Sequence, residues 1–236
     1  MTKGLLIFDF DDTLVSTNSV FDQSKSTFRK IITDLELDVP NLLEIVNNYD
    51  KQLVKEKGFI NKCFPLSLVK TYHHCCSHHG RSLLPEIESR IWNVGHWVFE
   101  QPLQVKDGVQ EVLHLLQRHY LLVLLTKGET EHQTNKVKES GLDKFFEEIF
   151  VVDNKDVLLF QKMVQQFGME SSKTWSIGNS IKSDINPALM AGINAMLVNA
   201  PTWDFEIDTL ISPVPELRHI RELLTLLSVE GKELDL

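Results

Sequence analysis

Five short apolar runs punctuate the chain: Gly4–Phe8, Tyr120–Leu125, Glu148–Val152, Thr174–Ile177 and Ile193–Val198. Little polar–apolar alternation breaks them, as expected of strands buried on both faces. Helical periods lie between them. Asp107 can cap a helix whose Val109, Val112, Leu113 and Leu116 recur at i, i+3, i+4 and i+7. The segments Glu129–Ser140, Asp156–Phe167 and Ile181–Ala191 each stop at a glycine (Gly141, Gly168, Gly192), a helix C-terminal signal. Pro215 is expected to open a last helix carrying Leu217, Ile220, Leu223, Leu224 and Leu227, with a frayed tail after Ser228.

Strand alternating with helix at this rhythm predicts an α/β fold, a parallel sheet wound by right-handed crossovers. One connection departs from it. The step from Asp9 to Thr126 far exceeds the ~30 residues of a βαβ unit. Its excess carries four helical patterns, Ser24–Leu35, Leu42–Lys57, Leu66–His79 and Glu86–Phe99, punctuated by Pro40, Pro65, Pro85 and Pro102. The expected organisation is a Rossmann-like core of residues 1–15 and 101–236 with a helical module, residues 16–100, inserted after the first strand.

Composition narrows the function. At 236 residues, 42% hydrophobic and 24% charged, the chain fits a globular protein of one domain plus a sizeable insertion. No apolar run reaches the ~18 residues of a membrane span, and Leu5–Phe8 stops too soon at Asp9 for a signal peptide. Lys and Arg number 24 against 33 Asp and Glu, a net charge of −9 that argues against a broad nucleic-acid surface. A small anionic substrate remains compatible. Cys63, Cys75 and Cys76 are too few for a disulfide framework, so a reducing cytoplasm is expected.

Ligands of open parallel sheets sit beyond the carboxyl ends of the strands. Those ends deliver Asp9-Phe10-Asp11-Asp12-Thr13, then Thr126-Lys127-Gly128, then Lys155, then Gly178-Asn179-Ser180 followed by Asp184. Asp9 or Asp11 alone would pass for a solvated turn; the partners at the other ends argue for a site. Paired carboxylates suit Mg²⁺. A threonine hydroxyl, loop amides and a lysine suit a phosphoryl group, and an aspartate can act as covalent nucleophile. Lys127 is expected to contribute through its backbone, with its side chain in solvent.

These residues carry a family resemblance. LLIFDFDDTLV (Leu5–Val15) resembles the first motif of the haloacid dehalogenase superfamily, LLVLLTKG its second, Lys155 its third, and WSIGNSIKSDINPALMAGINAMLV its fourth. The helical module falls where that superfamily places an all-helical cap. The resemblance implies a phosphatase in which Asp9 attacks phosphorus and Asp11 serves as general acid and then base. It further implies Mg²⁺ held by the Asp9 side chain, the Asp11 carbonyl and Asp184, with Thr126 and Lys155 on the phosphate and the amides of Phe10 and Lys127 as further donors. Asp11 separates phosphate ester hydrolysis from the family's dehalogenases, which lack it. The implied substrate is a small phosphorylated metabolite: a sugar phosphate, phosphoglycolate or a nucleoside monophosphate.

The sequence departs from the family pattern at Asn179, where an aspartate is common; a neutral amide there can still accept from a metal-bound water. Two alternatives stay open: a phosphomutase using the same Asp9, and a catalytically weak binding or regulatory protein. The segment Tyr72–His79, rich in His and Cys, offers i, i+4 pairs (His74/His78, Cys75/His79) that point apart, so it reads as an ordinary helix rather than a zinc site. Trp92 and Trp97 read as packing residues, and Trp203 as a loop residue near the strand ends.

Overall fold

A computed structural model describes residues 4–228. Contacts divide the chain into two compact units, one of residues 17–102 and one of the remainder on either side.

The larger unit begins with β1 (Leu5–Phe8), entirely buried, then the two-residue β2 (Val15–Ser16). Residues 17–102 form α1 (Asn18–Asp34), α2 (Leu42–Lys57), α3 (Cys63–His78) and α4 (Pro85–His96), and a 3₁₀ turn over Trp97–Glu100. Their apolar faces share a core of Phe28, Ile31, Ile32, Leu68, Tyr72 and Ile91, with Trp92 and Trp97 packed against it. The larger unit resumes with β3 (Gln104–Val105), antiparallel to β2, then α5 (Val109–Leu116), β4 (Leu121–Lys127), α6 (Thr130–Glu139), β5 (Glu148–Val152), α7 (Val157–Gln166), β6 (Thr174–Gly178), α8 (Asn186–Met190), β7 (Asn194–Val198), β8 (Glu216–Leu217) and α9 (Glu222–Leu226).

Six strands form one parallel sheet in the order β5-β4-β1-β6-β7-β8. The expected α/β architecture is present. Side-chain alternation explains the apolar runs: Leu6, Phe8, Leu122 and Leu124 face one core, while Leu5, Ile7, Val123 and Leu125 face the other. Burying each such side chain contributes about 1.5–3 kcal/mol. With β1 between β4 and β6, Phe8 lies level with Leu124 and Ile177, so Asp9 emerges level with Gly178 and with Leu125, one residue before Thr126.

Two expectations are corrected. The helix expected from Pro215 is only α9, because Glu216 and Leu217 instead add a strand to β7. Leu197 N–H donates to Pro215 O (2.9 Å) and Asn199 N–H to Leu217 O (2.8 Å). An edge that would otherwise leave backbone donors unmatched outweighs the local helical period. The helix expected over 181–191 opens as a π turn (Ile181–Ile185), and only Asn186–Met190 is α-helical. The tail after Ser228, expected to fray, lies outside the described residues. No described helix is long and apolar enough to cross a membrane.

Candidate active site

The carboxyl ends of β1, β4 and β6 and the loop after β5 bring the expected residues together. Asp9 follows β1 directly, and its N–H donates to Ile177 O at 2.9 Å. The turn after it passes through Asp12, whose φ of 57° lies in the left-handed region that aspartate tolerates better than most residues. This turn brings Thr13 back, and its hydroxyl donates to Asp9 Oδ2 at 2.8 Å. The Lys106 ammonium donates to the Asp12 carbonyl.

Lys155 is the electrostatic centre. It precedes Asp156, whose side chain caps α7 by accepting from Leu159 N–H at 2.9 Å. The Lys155 Nζ donates to Asp9 Oδ1 (2.7 Å) and Asp184 Oδ1 (2.6 Å) with only 3% of the residue exposed. Burial alone would lower its pKa, yet the Asp184 and Asp9 charges hold it above the ordinary lysine value. Asp9 moves up, to about 6: burial raises it and Asp184 adds to the rise, against the pull of Lys155.

Asp184 is placed by backbone geometry. Its Oδ2 accepts from Ser180 N–H at 2.9 Å inside the π turn. The approach requires Gly178, since a Cβ there would lie 2.3 Å from Asp184 Oδ2. Asn179 turns its amide nitrogen to Pro201 O (2.8 Å), while its Oδ1 lies 3.4 Å from the Thr13 hydroxyl. In this arrangement its donor serves the loop after β7.

Asp11 is held from α6. Its Oδ1 accepts from Lys136 Nζ (2.5 Å) and its Oδ2 from Gln133 Nε2 (2.7 Å). Gln133 also approaches the Thr126 hydroxyl (2.9 Å) and the Lys127 carbonyl (2.8 Å). Gly128, with φ of +146°, lets α6 come this close: a Cβ there would lie 2.7 Å from Gln133 Cγ.

The Lys127 side chain corrects expectation. It is not in solvent; its Nζ donates to Glu206 Oε1 (2.6 Å) and Ser183 Oγ (2.8 Å). Glu206 also accepts from the hydroxyls of Ser180 (2.7 Å) and Ser183. Burial lowers the Lys127 pKa despite this partner. Burial would raise that of Glu206, but the Lys127 ammonium and the hydrogen bonds hold it below the ordinary glutamate value. The side chain turns back to Glu206, a carboxylate 79 residues downstream that local spacing cannot reveal.

Sequence reasoning missed Gln133, Lys136 and Glu206. A signal existed for the first two: they lie one turn apart on a helix, TEHQTNKVKE, whose single apolar residue is Val137, so polar side chains must fill the rest of its inner face. Glu206 sits in a loop turn, where its N–H donates to Trp203 O (2.8 Å), and no periodicity marks it. In the helical unit, His73 pairs with Glu88 (2.5 Å), and Cys75 and Cys76 are buried. Among the described residues no three His, Cys, Asp or Glu side chains form a metal cage, there or elsewhere.

The sequence profile of the haloacid dehalogenase-like hydrolases matches residues 6–198. The chain belongs to that family. Among its hydrolases, the chain is 24% identical to the putative HAD-hydrolase YfnB of Bacillus subtilis, covering 96% of each. It is 26% identical to the pyrimidine 5'-nucleotidase PynA of Streptococcus pneumoniae, over 95% of this chain and 94% of that one. A glyceraldehyde 3-phosphate phosphatase of Methanothermobacter thermautotrophicus is 21% identical over 93% of this chain and 98% of its own. The fold matches a haloacid dehalogenase-like family hydrolase from Xanthomonas campestris with a TM-score of 0.77 at 24% identity, covering 95% of this chain and 94% of that one. It also matches magnesium-bound YfnB with a TM-score of 0.64 at 21% identity, covering 97% of this chain and all of that one.

Proposed function

We infer that this family member is a Mg²⁺-dependent phosphatase of small phosphomonoesters, acting through an aspartyl-phosphate on Asp9. The observation that carries the reading is the convergence of Asp9 Oδ1 and Asp184 Oδ1 on one buried cation, the Lys155 ammonium. Two hard carboxylate oxygens already gathered about a positive charge fit Mg²⁺. Asp9 and Asp184, with the Asp11 carbonyl, would hold it; the fit rests on two carboxylates and a carbonyl rather than on three carboxylates. The ion, when bound, supplies positive charge against which a phosphate dianion can approach these carboxylates.

The chain's own residues account for the rest. Asp9 Oδ attacks phosphorus as the ester oxygen departs with a proton from Asp11. Water then attacks the phosphoenzyme and gives a proton to Asp11, while the Asp9–phosphorus bond breaks. Lys155, Thr126 and the amides of Phe10 and Lys127 are donors to the phosphate oxygens. The helical unit is read as the cap that selects the substrate. The names of the relatives, a pyrimidine 5'-nucleotidase and a glyceraldehyde 3-phosphate phosphatase, support a nucleoside monophosphate or a sugar phosphate as substrate class, while phosphoglycolate rests on the family resemblance alone. Three buried, unpaired cysteines accord with a reducing cytoplasm. Phosphate release from a panel of phosphorylated metabolites, with Mg²⁺ or with chelator, tests the reading. Metal-dependent turnover that disappears in Asp9→Asn is expected; turnover that survives Asp9→Asn would refute it.

A further inference from the structure

Helix α6 reaches Asp11 at two points, and the cost it accepts indicates why. Gln133 is 4% exposed, and its Nε2 shares two hydrogens among Asp11 Oδ2, Thr126 Oγ1 and the Lys127 carbonyl. Its Oε1 is buried with no hydrogen-bond partner. A buried amide oxygen left unpaired calls for an explanation. Turning the amide over would set that oxygen against a carboxylate and a carbonyl, neither of which can donate. The orientation is therefore dictated by Asp11 and the end of β4. One turn along the same helix, Lys136 donates to the other Asp11 oxygen and lies 5.7 Å from the centre of the Phe10 ring. Both oxygens of one carboxylate are thus met by donors on a single rigid helix, which also grips the end of the phosphate-binding strand.

We propose that Gln133 and Lys136 are positioning residues that aim the Asp11 carboxylate for its proton transfers, tying it to the Thr126–Lys127 strand end. The inference rests on the phosphatase reading above. If Asp11 is misaimed, both its tasks suffer: protonating the ester oxygen as it leaves Asp9-bound phosphorus, and taking the proton of the water that attacks the phosphoenzyme. An ester whose leaving group needs no proton escapes the first penalty but not the second.

The test is pre-steady-state turnover of Lys136→Met and Gln133→Met with saturating Mg²⁺, using p-nitrophenyl phosphate and a simple alkyl phosphate. We expect kcat to fall about 10- to 100-fold, a share of the 10²–10⁴-fold that acid–base catalysis contributes, with KM little changed for the alkyl phosphate and lowered along with kcat for p-nitrophenyl phosphate. With p-nitrophenyl phosphate the variants should show a burst approaching one nitrophenolate per active site, as phosphoenzyme accumulates; the alkyl phosphate should give no burst. Lys136→Arg should recover most of the rate. Lys136→Gln serves in place of Lys136→Met should the latter fail to fold, judged by its melting curve. An equal loss on both esters without a burst, a raised KM at unchanged kcat, or unaltered kinetics would each overturn the proposal. A wild-type protein with no metal-dependent turnover would instead overturn the phosphatase reading, and this inference with it.

Discussion

Replacing Glu206 by glutamine should destabilise the sheet unit. The substitution changes an oxygen to an amide nitrogen and removes one negative charge. Glu206 then no longer balances the Lys127 ammonium, whose side chain is 13% exposed, and it offers fewer acceptors to Ser180 and Ser183. Removing one partner of a buried pair costs about 3–5 kcal/mol, because the survivor stays desolvated. For a protein of this size each kcal/mol lowers Tm by roughly 2–4 °C, so a fall of about 6–20 °C is expected at pH 7. The effect must also depend on pH. Glu206 has a folded pKa below its ordinary 4.5, so its contribution is present above about pH 4.5 and is lost as pH falls through the folded value. The gap between wild type and Glu206→Gln should therefore narrow in acid. Thermal unfolding followed by circular dichroism from pH 3 to pH 8 reads both quantities. The double variant Lys127→Met/Glu206→Leu provides the contrast: with neither charge left buried, it should regain much of the loss. A Tm shift under about 2 °C for Glu206→Gln, or a double variant no better than the single, would refute the reasoning.

Two further outcomes are expected. Asp50, buried in α2, has its pKa raised to about 6 by burial, partly opposed by Lys25. A raised carboxyl pKa favours the fold most below about pH 4 and loses that advantage as pH climbs through about 6. Asp50→Asn should therefore gain on wild type by about 2–3 kcal/mol between pH 4 and pH 7 in denaturant titrations; parallel stability curves would contradict this. Asn179→Asp removes the donor to Pro201 O and sets a carboxylate oxygen against that carbonyl, at about 1–3 kcal/mol. Its melting temperature in chelator should fall below wild type, and Mg²⁺ should raise it by more than it raises wild type. An equal Mg²⁺ shift in both proteins would remove Asn179 from the metal's surroundings.

What was legible in the chain follows from how its parts are buried. Strands β1, β4, β5 and β7 put apolar side chains into both cores, so their apolar runs mark them without knowledge of neighbours, while β6 sends only Trp175 and Ile177 into one of them. Because ligands of parallel sheets gather at the strand ends, listing the residues after each run already assembled Asp9, Asp11, Thr126, Lys155 and Asp184. Short-range pattern failed where a distant partner decided the outcome. Leu217 suits a helix by its period, yet the exposed edge of β7 takes it as a strand. Lys127 looked like a solvated lysine until the loop after β7 supplied Glu206. Gln133 and Lys136 lie 122 and 125 residues from Asp11, and only the β4–β1 pairing brings α6 against the first strand's turn. Hydrophobic period is a local property, set by which face a residue turns to the core. The pairing of buried charges is not local, because desolvated groups bind whichever partner the finished fold sets within reach.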